Sequence, residues 1–176
     1  DASIGVVREV LAHVVAEGTR LGAATTEQLV AALESPHGWY RDTAHRLLFE
    51  RQESAAVTQL RRMLTDSRSP QARLHALWSL AGLRALSVDD LTTALDDQHP
   101  AIREHAMRLA ETRLDDSPAL LEKIIEQADD ESPRIRFQAA FSLGESTDPR
   151  AAKALAKLAR VSASDPWIRT ATLSSA

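Results

Sequence analysis

Six histidines and 25 acidic residues, with no cysteine, are the side chains of this 176-residue sequence that could carry acid–base or metal chemistry. A metal site needs three or four such ligands drawn together, and neither His-x-x-x-His nor His-Glu-x-x-His occurs. His75 and His105 each stand two residues after an arginine. That spacing predicts solvated helix-surface positions on one ridge, about 10 Å apart, too far for one ion. The carboxylates cluster as Asp89-Asp90, Asp96-Asp97, Asp115-Asp116 and Asp129-Asp130-Glu131. They fall in or beside expected turns, where negative charge favours a helix N-terminus, and no two are placed to flank a substrate. There is no Gly-x-Ser-x-Gly, no phosphate loop and no thiol nucleophile. The expectation is a segment without catalytic residues, metal or cofactor.

Recognition chemistry is concentrated elsewhere. Trp39-Tyr40-Arg41-Asp42, with His45 one helical turn on, is the densest run of residue types that anchor protein interfaces. An insertion there could push an aromatic outward to meet a partner or a sugar ring. The alternative is that Trp39 covers the end of a stack and Asp42 pairs with a neighbouring arginine. Arg41, Arg46, Arg51, Arg61, Arg62, Arg68 and Arg73 make residues 41–73 locally basic, as a polyanion-binding face would be. The 21 basic residues are nevertheless outnumbered by acidic ones, for a net charge of −4, which weighs against a general nucleic-acid binder.

The elements that must position these groups follow from five prolines. Pro36, Pro70, Pro100, Pro133 and Pro166 recur every 30 to 34 residues, and each is followed by an arginine: Arg41, Arg73, Arg103, Arg136 and Arg169. A period of this length signals a repeated supersecondary unit. Ser35, Ser69, His99, Ser132 and Asp165 precede the prolines, and Ser or Asp before Pro suits a helix start. Thr25 with Gln28, Ser54, Ser87 with Asp90, Ser117 with Pro118, and Asp148 with Pro149 open the intervening helices. The reading is all-α: a leading helix near 3–16, then hairpins at 26–34/36–50, 54–65/70–82, 88–96/100–113, 118–128/133–144 and 149–160/166–176. As one domain this divides into 1–22, 23–51, 52–85, 86–114, 115–146 and 147–176.

One hairpin cannot cover its own apolar stripe, so neighbours must stack into an α-α superhelix, a solenoid, with a continuous core. Leu74, Leu77, Trp78, Ile102, Leu109, Ile124, Ile135, Phe141 and Leu143 are the expected core, and Gly82 and Gly144 the expected left-handed helix ends. Low aromatic content, 4%, suits helices that approach over Ala and Leu. No run of about 18 apolar residues could cross a membrane as a helix. Since the chain starts at Asp1 and stops early in an expected helix, it reads as a segment of a larger protein.

The pattern Asp-x-x-Ser-Pro-x-Ile-Arg-x-x-Ala-Ala-x-Ser-Leu-Gly, read from Asp130 to Gly144 with one residue's latitude, resembles the second helix of HEAT repeats, including the HEAT-like class named after phycobilisome lyases. The resemblance implies a ladder of turn aspartates and arginines from repeat to repeat, here Asp97 with Arg103 and Asp130 with Arg136, paired within a repeat or to the next one and broken toward both ends of the array. Residues 35–51 and 72–78 are further similar to the helical-repeat segment of large exported planctomycete-type proteins that join a dehydrogenase-like propeller, HEAT repeats and cytochrome c. That implies export and a multidomain parent, although no Cys-x-x-Cys-His is present here. The function expected is a non-enzymatic scaffold binding protein or neighbouring domains of its own polypeptide, in an oligomeric state the sequence does not specify. The alternatives are a nucleic-acid-binding or DNA-glycosylase-like HEAT domain and a HEAT-like bilin lyase subunit.

Overall fold

Proline at a helix's first position loses no hydrogen bond, so a Ser-Pro or Asp-Pro step fixes where a helix begins. A computed structural model describes residues 21–175, and these steps set its architecture; the expected leading helix near 3–16 lies outside the described residues. Ten α-helices run between Thr26 and Ser174, with no strand among the described residues. The chain divides into two compact units, 1–85 and 86–176.

In the first unit α1 (Thr26–Ala32) and α2 (Gly38–Arg51) form one hairpin. A 3-10 turn at Ser54–Ala56 leads into α3 (Val57–Asp66), which pairs with α4 (Pro70–Gly82). The second unit holds three hairpins: α5 (Val88–Leu95) with α6 (Pro100–Ala110), α7 (Pro118–Gln127) with α8 (Pro133–Gly144), and α9 (Pro149–Val161) with α10 (Pro166–Ser174). Within each unit first helices pack on first helices and second on second, as well as within hairpins. This is the consecutive-helix packing of a helical-repeat fold. Thr25 with Gln28 and Ser87 with Asp90 form capping boxes, and Ser69, Ser117, Asp148 and Asp165 cap by side-chain acceptance.

The second helix of the first hairpin starts at Gly38, two residues later than Pro36 suggests. The shift keeps Arg41 three residues past the helix's first residue, the place Arg73, Arg103, Arg136 and Arg169 hold after their prolines. Arginine register, more than proline position, defines the repeat.

Second helices are buried on more than one side, and this misdirects a single-stripe reading. In α4 the buried residues are Ala72, Arg73, Ala76, Leu77, Ser79 and Leu80, whereas Leu74 is half-buried and Trp78 is 37% exposed. Leu77, Ile102, Ile124, Ile135 and Leu143 are in the core as expected; Leu109 is half-buried, and Phe141 is 39% exposed with Phe137 packed edge-on against it. Trp78 and Phe141 both stand five residues past the repeat arginine, where Arg46 and Arg108 point outward in other hairpins. The two glycines also differ from expectation. Neither has a left-handed backbone; that conformation falls on Gln52 and Arg84. Gly82 is small because a Cβ there would meet the Phe49 ring at 3.0 Å, and at Gly144 one would meet Ser175 at 2.5 Å.

Candidate functional site

The recurring turn between helices of a hairpin is built by one residue using both its side chain and its backbone. Ser35, Ser67, Asp97 and Asp130 each accept, through a side-chain oxygen, the N–H two residues on, at 3.2, 3.1, 2.7 and 2.8 Å. Each also offers its carbonyl to Nη1 of the arginine six residues on: Arg41 at 2.7 Å, Arg73 at 2.8 Å, Arg103 at 2.8 Å and Arg136 at 2.7 Å. The expected ladder, within a repeat or to the next one, therefore divides into a backbone contact and a carboxylate contact. Within a repeat, Arg103 and Arg136 take the backbone oxygens of Asp97 and Asp130, a contact that serine supports equally. The carboxylate contact runs to the next hairpin: Arg103 Nη2 meets Asp130 Oδ2 at 2.7 Å, and its Nε donates to Gln127 Oε1 at 3.2 Å.

Arg41 occupies the place of Arg103 in the first unit, and its surroundings are different. Gln127 and Asp130 stand nine and six residues before Arg136; nine and six before Arg73 stand Leu64 and Ser67. Both acceptors are thereby lost. Arg41 Nε is buried with no hydrogen-bond partner, and Nη2 has no acceptor among the described residues. Nη2 sits beside Gly38, where a Cβ would lie 3.6 Å away.

Around it, Trp39 is 47% exposed and meets Tyr40 edge-on at a ring distance of 5.2 Å. Tyr40 itself is buried, so only Trp39 of the aromatic pair presents substantial surface. His45 is turned to α4. Its Nδ1 lies 2.8 Å from Ser79 Oγ, and its ring centre is 5.7 Å from that of His75, whose Nε2 is 3.7 Å from Asp42. Asp42 thus faces a histidine, and His75 is half-buried instead of solvated. Burial holds both imidazoles below the ordinary histidine range; His45 is pulled back up by the His75 backbone and by Asp42, while His75 is pushed down further by His45 and Arg41. The pair is set by a stagger between adjacent helices, in which the fourth residue past one arginine meets the second past the next, and residue type alone does not show it.

Other candidate groups are committed to structure. Arg51 donates to the carbonyls of Leu21, Gly22 and Ala24, and Arg61 to that of Ala85. With Arg41 and Arg73 also tied to carbonyls, four of the seven arginines of the basic stretch hold backbone. Arg46, Arg62 and Arg68 remain exposed. Asp97 and Asp130 close turns, Asp90 completes a cap, and Asp115 accepts from Ser146 and Thr147, which holds its carboxyl below the usual range. Glu104, 5% exposed, is neutralised by Arg108 at 2.7 Å and by a close pair with Arg134. Among the described residues no group of three or more His, Cys, Asp or Glu could hold a metal, and no helix is long and apolar enough to cross a membrane.

A family model described as HEAT repeats matches residues 88–176, nearly the whole second unit. No curated protein matches the chain.

Proposed function

We propose that this chain, which belongs to the HEAT repeat family, is a non-enzymatic scaffold that binds another protein through the Trp39–Arg41 edge of its first unit. The observation that carries the reading is the contrast within that edge. Trp39 is half exposed on a buried tyrosine, beside an arginine whose buried Nε lacks an acceptor. Trp, Tyr and Arg are the types that dominate interface energetics, and a rigidly seated indole loses little entropy on binding. Meanwhile Asp90, Asp96, Asp97, Asp115, Asp129 and Asp130 of the acidic clusters are engaged in caps, turns and ion pairs.

The similarity of residues 35–51 and 72–78 to exported multidomain proteins supports a parent in which this segment spaces and docks neighbouring domains. Site-specific photo-crosslinking in cells that make the protein tests the binding surface. A benzophenone amino acid replacing Trp39 should give one discrete protein adduct, and the same group at exposed Thr112 should not. No adduct from position 39, or identical adducts from both positions, would overturn the reading.

A further inference from the structure

The repeat arginine is a three-donor device, and its environment in the second unit shows what it requires. Arg103 donates Nη1 to its own turn, Nε to Gln127 and Nη2 to the carboxylate of Asp130. A planar guanidinium so filled is a strong, directional site for a carboxylate. At Arg41 only the first of these contacts is made, because the next hairpin supplies Leu64 and Ser67 in place of Gln127 and Asp130. Nε is buried and unpaired, its acceptor replaced by Leu64. Nη2, the donor that holds the carboxylate at Arg103, has no acceptor among the described residues and is not among the buried unpaired atoms, so it is the group left for a partner.

From this, we infer that the first unit binds an acidic peptide segment of a partner protein, one carboxylate of which takes the place at Arg41 that Asp130 takes at Arg103. The inference rests on the scaffold reading above and names the partner's chemistry.

Charge supports this edge over the other incomplete one. The turn residues Asp130-Glu131 of the second unit are Ser67-Arg68 in the first, and Arg68 is exposed. The acidic groups of the first edge are Glu34, Asp42 and Asp66, of which Asp42 faces His75 at 3.7 Å and Asp66 already accepts from Thr65 at 2.8 Å. Arg136 also lacks a downstream aspartate, since position 163 is alanine, and it lines a hollow of about 430 Å³. That hollow is walled by Asp129, Asp130, Glu131 and Asp165. A visiting carboxylate is repelled there and attracted at Arg41.

The test uses the full chain and a fluorescein-labelled hexaglutamate peptide, read by anisotropy, with hexalysine and a thymidine 12-mer as comparison probes. Ser67→Asp restores the internal carboxylate without disturbing the fold. It should raise the melting temperature and weaken hexaglutamate binding at least tenfold. Gln71→Glu adds the same charge at an exposed position of the same hairpin, two residues before Arg73, and should weaken binding less than threefold. Leu64→Gln with Ser67→Asp, copying the second unit, should abolish it.

Absence of hexaglutamate binding by the unaltered chain, or equal binding by Ser67→Asp, would overturn the inference. Tighter binding of the thymidine 12-mer, lost in Ser67→Asp, would overturn it in favour of a phosphate site. If hexaglutamate fails while the Trp39 crosslink persists, the carboxylate is wrong and the scaffold reading stands; if both fail, both fall.

Discussion

Arg103 and Arg41 stand at the same register in two units of one chain, and the difference between them separates what a repeat needs in order to fold from what it can spare for recognition. Both arginines hold their own turn by a bond from Nη1 to the carbonyl six residues back, at 2.8 and 2.7 Å. Only Arg103 is also locked to the following hairpin through Gln127 and Asp130. The turn bond is therefore the structural constant and the carboxylate bond the variable. A position freed from one internal partner is available to an external one, since the scaffold stays intact when the variable bond is absent.

The comparison presumes that the two cores are equally sound. Leu77 in the first unit and Ile135 in the second are both fully buried. Leu77→Ala and Ile135→Ala should each cost about 2–5 kcal/mol in urea denaturation. A loss below half a kcal/mol at either would show that its unit is not packed as described. The arginines should then diverge. Arg103→Ala strands the largely buried Asp130 carboxylate and should cost about 3 kcal/mol, the scale for breaking a buried pair. Arg41→Ala removes one neutral-acceptor hydrogen bond and should cost about 1 kcal/mol. Equal losses at the two sites would erase the distinction.

Acid should weaken the first unit more than the second. Burial depresses His45 and His75 in the first unit and His105 in the second, so the unfolded chain binds more protons below about pH 6.5. Stability contributed by keeping these imidazoles neutral is present above that pH and is lost as pH falls through the window beneath it. His45→Gln with His75→Gln should remove more of the slope between pH 7 and 5 than His105→Gln, as followed by the midpoint of urea unfolding. A slope that survives the double replacement would assign the pH response to other groups. The smallest effect is expected at Trp39→Ala, within about 0.5 kcal/mol of the unaltered chain because the ring is half exposed, while association with the partner identified by crosslinking is lost.

The hairpins were legible in the sequence because their signals are local. Ser-Pro and Asp-Pro steps at Pro70, Pro133 and Pro166 start helices by backbone chemistry that needs no tertiary context. The faces of the second helices were not legible. A helix covered on several sides carries apolar residues around most of its circumference, so the stripe through Trp78 and the one through Leu80 look alike. The turn arginines showed their register but not their acceptor, because a backbone carbonyl leaves no trace in residue type. The His45–His75 pair and the vacancy at Arg41 depend on which positions of adjacent helices meet, a stagger that one hairpin read alone does not contain. Trp39, Arg41 and His45 were singled out from residue type. That Tyr40 lies inside, and that His45 faces Ser79 and His75, became visible only with the packing.

Nitrogen-edited NMR of the arginine side chains observes Arg103 and Arg41 in one sample. The account predicts that Arg103 Nε–H, bonded to Gln127, gives a slowly exchanging resonance that does not move when hexaglutamate is added. It predicts that the Arg41 side-chain resonances shift with the peptide and that Ser67→Asp abolishes the shift. Movement at Arg103 with none at Arg41, or no movement at either, would contradict it.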